Sequence, residues 1–286
     1  MTTMAIHHEA FPAVCQFHRL QQAWLELWSG RTWTARSHGA GLDGVTLAEW
    51  ANNWPARLTA LQAELRNGRY RPSPLLWFDI PRRDERNPDR LRRLGIPTVT
   101  DRVIQRAVKN VIEPFWESQF LSCSHGYRRD RSVFTAIAHV LWHEATGLRW
   151  VADADIEGCF DAIDHGLLLD QLAPLYDAPL IDLIAGWLDI GCAAPGLGVA
   201  QGAVLSPLLM NIYLHPFDVT LIQAGYALVR YADDFVVMSR DRREAEQALA
   251  ESASVLAALR LALNPNKSQV VPLGPGYSFL GAQFEQ

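Results

Sequence analysis

The chain is poor in several things that would place it outside the ordinary soluble classes. Only four of its 286 residues are cysteine (Cys15, Cys123, Cys159 and Cys192), and no two make a C-x-x-C pair. Disulfides are therefore not expected in a chain read as cytoplasmic. Cys15 and His18 stand at a C-x-x-H spacing with His7 and His8 nearby, but no second spaced pair completes a zinc site, so a buried thiol and surface histidines are the better reading. No run approaches the roughly 18 apolar residues that a membrane helix needs. The opening MTTMAIHHEAFPAVCQFHRL lacks a basic start followed by an apolar core, so no signal peptide is expected and a cytoplasmic location follows by default. Basic excess is missing too: the net charge is −5, so charge alone gives no sign of nucleic-acid binding. Internal repeats and low-complexity segments are also absent.

What remains is a globular composition, 49% hydrophobic and 20% charged, on a chain long enough for one large domain or two small ones. The basic residues are unevenly placed. RRDERNPDRLRR (82–93) holds six Arg against three acids, and YRRDR (127–131) adds three more Arg. Such patches can hold phosphates on an acidic chain, although a solvated, salt-bridged loop gives the same composition. Five tryptophans near the N-terminus (Trp24, Trp28, Trp33, Trp50 and Trp54) could dock a partner, but core packing is the commoner use.

Periodicity places the elements. Residues 1–30 read as a helix with Trp24, Leu27 and Trp28 on one face, broken by HGAGLDGVT (38–46). LAEWANNWPARLTALQAELRNGRY has helical spacing through Leu58, Leu61 and Leu65 and ends at Asn67-Gly68. RPSPLLWFDIPRR is extended. An amphipathic helix capped by Thr100 or Asp101 should run from Val103 to about Ile112. In the second half, LRWVADADI (148–156), YALVRY, FVVMS and SQVVPL (268–273) read as strands. AVLSPLLMNIYLHPFDVTLIQ (203–223) and DRREAEQALAESASVLAALR (241–260) read as helices, the latter capped by Asp241 with Ala245, Ala248, Leu249, Val255, Leu256 and Leu259 inward. That order is β-α-β-β-α-β, the split-βαβ or ferredoxin-like arrangement, with 157–202 inserted after its first strand.

This topology gives meaning to ALVRYADDFVVMSR (227–240), where two acids interrupt an apolar, strand-forming run. Alone, Asp233-Asp234 is an ordinary hairpin turn. A right-handed crossover, however, makes the first strand parallel to the second, with the third between them. The end of DADI then lies beside the turn, so Asp155 should face Asp233 with Asp234 adjacent. Asp153 competes with Asp155, since both lie on one face of the strand. Carboxylates that close call for a cation, and hard oxygens at a sheet edge suit Mg²⁺ in phosphoryl transfer.

YADD between two apolar strands, QGAVLSPLLMNIYLHPFD before it and DADIEGCFDAIDH upstream resemble the reverse transcriptases of bacterial group II introns. GLDGVTLAEW, RYRPSPLLWFDIPR, RRLGIPTVTDRVIQRAVKNVIEPFWESQF, SHGYRRDRS, LNPNKSQVV and SFLGAQF follow in the family's order, so the resemblance covers about residues 38–284. It implies an α+β polymerase right-hand fold: a helical N-terminal extension (1–37), mostly helical fingers (38–147) and a ferredoxin-like palm (148–286) carrying part of the fingers at about 165–200. It implies an RNA-directed DNA polymerase using Mg²⁺ (Mn²⁺ as substitute), an RNA template, a DNA or RNA primer and dNTPs. The DI pair selects Asp155 over Asp153, so the metal ligands become Asp155, Asp233 and Asp234 with Ile156 beside them. Phe160 matches the bulky gate under the sugar. Gln201 and Gly202 match the segment that contacts the incoming nucleotide, with Ala200 where the family usually has Pro. Arg82 stands in the place of a Lys and Arg92 in that of an Arg, both clamping the triphosphate, while Arg93 replaces a Pro. Lys267, one of two lysines in the chain, matches a proton donor to pyrophosphate. SFLGAQF resembles the segment steadying the primer end.

Intron-type members continue into a helical thumb, whereas this sequence stops at Gln286, so fingers and palm without a thumb are expected. A protein partner would then supply the grip on the duplex, a Cas1-type integrase being one such partner, in a CRISPR adaptation or antiviral defence setting. The competing expectation is an RNA- and partner-binding module with weak or no independent polymerase activity. An RNA-dependent RNA polymerase would share the palm but would not need Phe160.

Overall fold

The computed structural model describes residues 9–30, 35, 38–81 and 91–284. In chain order the elements are α1 (Ala10–Val14), α2 (Phe17–Ser29), α3 (Leu47–Ala51), α4 (Trp54–Arg66), β1 (Leu76–Pro81), β2 (Leu91–Ile96), α5 (Val99–Gln119), α6 (Val133–Ala145), β3 (Trp150–Asp155), α7 (Cys159–Ala162), α8 (His165–Leu172), α9 (Ala178–Gly191), α10 (Ser206–Gln223), β4 (Ala227–Tyr231), β5 (Asp234–Ser239), α11 (Arg242–Ala258), β6 (Gln269–Pro272), β7 (Tyr277–Phe279) and β8 (Ala282–Phe284). The fold class is α+β. Two compact units share the chain: one holds the sequence up to Pro114 with His165–Ser206, the other Phe115–Asp164 with Pro207–Gln286.

In the first unit, the expected single N-terminal helix is two, because Gln16 adopts extended backbone (φ −74°, ψ 132°) between α1 and α2. Trp24 is 2% and Trp50 1% exposed, with ring centroids 4.5 Å apart, so these two tryptophans form core. Trp33 lies outside the described residues. The next expected helix is also two. Thr46 closes a capping box with Glu49 to start α3, and α4 restarts after Asn53 with Pro55 in its first turn. Leu58, Leu61 and Leu65 are buried as their spacing predicts. β1 and β2 form an antiparallel pair with Leu76 opposite Ile96. Helix α5 begins earlier and ends later than its apolar stripe implied. Its cap is Thr98, whose Oγ1 accepts the Asp101 N–H at 3.1 Å, rather than Thr100 or Asp101.

The second unit contains the four-stranded sheet, in the order β4–β5–β3–β6 with every neighbouring pair antiparallel. This is the strand order a split βαβ requires: β3 and β4 run parallel with β5 between them. Alternation divides the side chains. Val151, Val229, Val236 and Met238 face Ala136 and Val140 of α6, together with Tyr277, Phe279 and Phe284 of the β7–β8 hairpin. On the other face Phe235 meets Phe217 of α10, ring centroids 5.1 Å apart. Helix α11, capped by Asp241 through the Glu244 N–H at 2.9 Å, packs along β3, β5 and β6 and buries Ala245, Ala248 and Leu256. Leu249, Val255 and Leu259 are only half-buried.

Candidate active site

The acids meet at the open end of β3. Asp155 pairs in register with Asp234, and the Ile156 N–H donates to the Asp233 carbonyl at 3.1 Å. Asp155 and Asp234 are thus a non-hydrogen-bonded antiparallel pair, the position at which opposed side chains lie closest. The expected facing of Asp155 and Asp233 is corrected by one residue. Tyr231 pairs with Asp234, so Ala232 and Asp233 occupy the turn and Asp234 is the first residue of β5. Asp233 sits in that turn beside the opposed pair.

The electrostatics register this crowding. Burial, a hydrogen bond with Asp155 and the charges of Asp233 and Asp155 push the Asp234 carboxyl up to about 7. Asp153, two residues back on the same face, is pushed to about 6, chiefly by burial. Lys267 offsets part of this: its Nζ lies 3.1 Å from Asp155 Oδ1. Asn264, which the residue-by-residue reading passed over, also holds Asp155. Its Nδ2 donates to Asp155 Oδ2 at 3.2 Å and its backbone N–H to the Asp155 carbonyl at 2.8 Å. It lies in the same LNPNK stretch as Lys267. Its amide is buried (6% exposed), and its side-chain oxygen also accepts the Asn266 N–H at 3.1 Å. Ile156 bridges Leu263, but both hydrogen bonds of that bridge belong to neighbouring residues, so its own carbonyl is not used there.

Phe160, on the one-turn helix α7, is 7% exposed and meets Tyr127 edge-to-face, ring centroids 6.4 Å apart. Tyr127 has φ +59°, in the left-handed region that residues other than glycine seldom occupy. The remaining singled-out residues belong to the first unit. The Gln201 carbonyl accepts the Gly95 N–H at 2.8 Å. Gly202 has φ +104°, and a Cβ there would come 3.1 Å from the Gly95 carbonyl oxygen, so only glycine suits this loop. The Gln201 Oε1 is buried without a hydrogen-bond partner. Arg92 is exposed on β2, while Arg93 lies 4.7 Å over the Trp77 ring. Arg82 lies outside the described residues. The structure thus gathers Asp155, Asp234, Asn264 and Lys267 around the Asp233 turn, and separately ties Gln201 and Gly202 to β2.

Two opposed hard carboxylates are a donor set of the kind that suits Mg²⁺. Among the described residues, no group of three or more His, Cys, Asp or Glu side chains is gathered to enclose an ion. Mg²⁺ needs no such cage, because one or two carboxylates hold it while substrate phosphates and water complete its octahedron. Asp155 and Asp234 provide two hard carboxylates in direct opposition.

Comparison with known proteins places the chain in a family. The family model described as reverse transcriptase (RNA-dependent DNA polymerase) matches residues 80–284. The chain belongs to the reverse transcriptase family. Within it, the similarity is to the group II intron-like members. The chain is 39% identical over 193 residues to the group II intron-encoded protein LtrA of Lactococcus lactis subsp. cremoris, across 65% of this chain but 31% of that protein. It is 34% identical over 292 residues to Protein YkfC of Escherichia coli (strain K12), across 86% of this chain and 75% of that one. Among solved structures, a partial Cas6-RT-Cas1–Cas2 complex matches at 26% identity and TM-score 0.49, across 87% of this chain and 42% of that one. The telomerase of Candida albicans, solved with a fragment of telomeric RNA, matches at 15% identity and TM-score 0.52 across 82% and 48%, a likeness of fold alone. Among the described residues, no helix is long and apolar enough to cross a membrane.

Proposed function

We propose that the chain is an RNA-directed DNA polymerase that adds dNTPs to a primer at the Asp155–Asp233–Asp234 corner. The observation that carries this reading is the register: Asp155 opposite Asp234 at a close-approach position, beside a turn carrying Asp233. Opposed carboxylates destabilise a sheet, and a reaction that brings in divalent cations with a triphosphate gives them a purpose. In this reading the second unit is the palm and much of the first the fingers.

Asp155, Asp233 and Asp234, with the Ile156 carbonyl, would hold Mg²⁺. Bound there, a pair of such ions supplies charge neutralisation on the attacking and leaving oxygens of an in-line displacement. The chain's own groups do the rest. Asn264 and Lys267 fix the orientation of Asp155, and Lys267 is assigned the further role of protonating the departing pyrophosphate. Phe160, packed by Tyr127, is assigned the role of excluding a 2′-OH by shape. Gln201 and Gly202 are assigned to the incoming nucleotide by their match to the family's segment. Arg92 and Arg82 are assigned to the triphosphate, where guanidinium groups bind bidentately.

Primer extension on poly(rA)/oligo(dT) with Mg²⁺ or Mn²⁺ tests the reading. Wild-type protein should extend the primer, and Asp233→Asn should abolish extension while leaving the circular dichroism spectrum unchanged. Absence of product from the wild type discards the polymerase reading, and retained activity in Asp233→Asn discards the metal assignment.

A further inference from the structure

We propose that Arg230 is a positioning residue for the acidic turn, holding the Ala232 carbonyl from the side of the sheet opposite the carboxylates and so fixing where Asp233 and Asp234 are presented. This rests on the polymerase reading of the same corner.

Arg230, the last residue but one of β4, pairs with Phe235 and is 0% exposed, as is Asp218 of α10. Its guanidinium makes five hydrogen bonds. Nε donates to Asp218 Oδ1 at 2.7 Å and Nη2 to Asp218 Oδ2 at 2.6 Å, a bidentate pair. Nη2 also donates to Ser124 Oγ at 2.9 Å, and Nη1 donates to Asn211 Oδ1 at 3.1 Å. The fifth bond runs from Nη1 to the carbonyl oxygen of Ala232 at 2.9 Å.

That last contact connects a buried ion pair to the catalytic turn. Ala232 has φ +61°, and Asp233 is not among the residues with positive φ. This sign pattern belongs to a type II′ turn, which ordinarily places glycine first. An alanine there costs on the order of 1 kcal/mol or more, so its neighbours must impose the conformation.

They do so from two sides. Beneath lies Arg230. Alongside runs the segment Cys123–Gly126, which extends the sheet past β4: the Arg230 N–H donates to the Cys123 carbonyl and the His125 N–H to the Arg230 carbonyl, both at 2.8 Å. Gly126 lies so close to the turn that a Cβ on it would come 2.3 Å from the Ala232 nitrogen. Asn211 ties the two sides together, donating from Nδ2 to the Gly126 carbonyl at 2.8 Å while accepting from Arg230.

Stability alone is a weak reason for such a pair. A buried Arg–Asp bridge exchanged for well-packed apolar side chains is often neutral or stabilising. Arg230 does what an apolar side chain could not: it donates to a turn carbonyl one residue from the acids.

The test is the double variant Arg230→Met/Asp218→Leu beside Arg230→Lys, which keeps the charge but loses the planar fork. Three quantities are read: melting temperature, Mn²⁺ affinity by electron paramagnetic resonance without nucleotide, and kcat against KM for dTTP on poly(rA)/oligo(dT). The double variant should stay folded, bind Mn²⁺ at least five-fold more weakly and lose at least ten-fold in kcat with KM for dTTP within two-fold. Arg230→Lys should move the same quantities part of the way. A folded double variant with Mn²⁺ affinity and kcat within two-fold of wild type overturns the proposal. If the double variant does not fold, Arg230→Lys decides: a loss of more than two-fold in both Mn²⁺ affinity and kcat upholds the proposal, and anything less overturns it. An inactive wild type sinks the polymerase reading alone, and the Mn²⁺ measurement then still decides the role of Arg230.

Discussion

At the scale of single residues, the acidic corner trades stability for chemistry. Asp234 is half-buried, and its carboxyl is pushed to about 7 by burial first and then by Asp155 and Asp233. Its ordinary value lies near 3.8, so between these limits the unfolded chain gives up a proton that the folded chain keeps. Folding stability therefore falls as pH rises from about 4 to about 7, the sign expected for an acid whose folded pKa is raised. Asp234→Asn should melt higher than wild type at pH 8 in EDTA, by about 2 °C or more, with the gap closing toward pH 4.5. A gap that stays constant with pH would show that the charge is not the cause. Phe160 raises a question of selectivity instead. Its ring is buried and braced by Tyr127, so Phe160→Ala should raise incorporation of ribonucleotides relative to deoxyribonucleotides by about ten-fold or more. An unchanged ratio of kcat/KM values removes the gate role.

Among the elements, α6 shows both what a sequence hides and what it encodes. It escapes a reading by period because it is apolar nearly all round. Ala136 and Val140 are buried, yet Phe134 is 83%, Leu141 47% and Trp142 60% exposed, so no polar face marks the helix. The β7–β8 hairpin is hidden for another reason: three-residue strands are too short to display alternation. The sheet strands were legible as short apolar, β-prone runs buried on both faces, α11 because it has one apolar face, and the acidic corner because charge in an apolar strand is anomalous. Arg230 carries the same anomaly one turn earlier in the chain. Helix α6 also carries His139 and His143, which form a histidine ladder with His125 of the preceding segment. His125 Nε2 lies 3.1 Å from His139 Nδ1, and the His139 and His143 rings stack 4.8 Å apart. Burial first, then the neighbouring His139, pushes His125 and His143 down to about 4. Their unfolded value lies near 6.5, so the unfolded chain takes up protons first, and stability is lost as pH falls from 6.5 toward 4. This slope opposes that of Asp234. His143→Phe, which keeps a ring in the stack, should lose fewer degrees of melting temperature between pH 7 and pH 5 than wild type. Equal losses would place the acid sensitivity elsewhere.

For the whole molecule, the decisive feature is that neither unit is continuous in sequence. Composition bounded the chain at one or two domains but could not show this, because the interruption is a matter of which segments pack together and not of local propensity. Its consequence for the second unit is specific. Strands β4, β5 and β6 come from one segment, yet β3, which lies between β5 and β6 and carries Asp155, comes from another. A fragment of residues 207–286 would leave β5 and β6 without their shared partner, exposing unpaired strand edges that invite aggregation. The two segments approach each other within the unit, where the Asp164 N–H reaches the Tyr213 hydroxyl at 3.3 Å. Tyr213 lies under two helical turns beyond Pro207, roughly 9 Å along the α10 axis. A Gly/Ser linker of about eight residues, with a mean span of roughly 15 Å, can therefore join 164 to 207. The spliced chain 115–164–linker–207–286 should be monomeric and unfold in one cooperative transition, while 207–286 alone should aggregate or give no transition. If the fragment alone melts cooperatively, β3 is not the strand that organises the sheet, and the placement of Asp155 opposite Asp234 loses its structural basis.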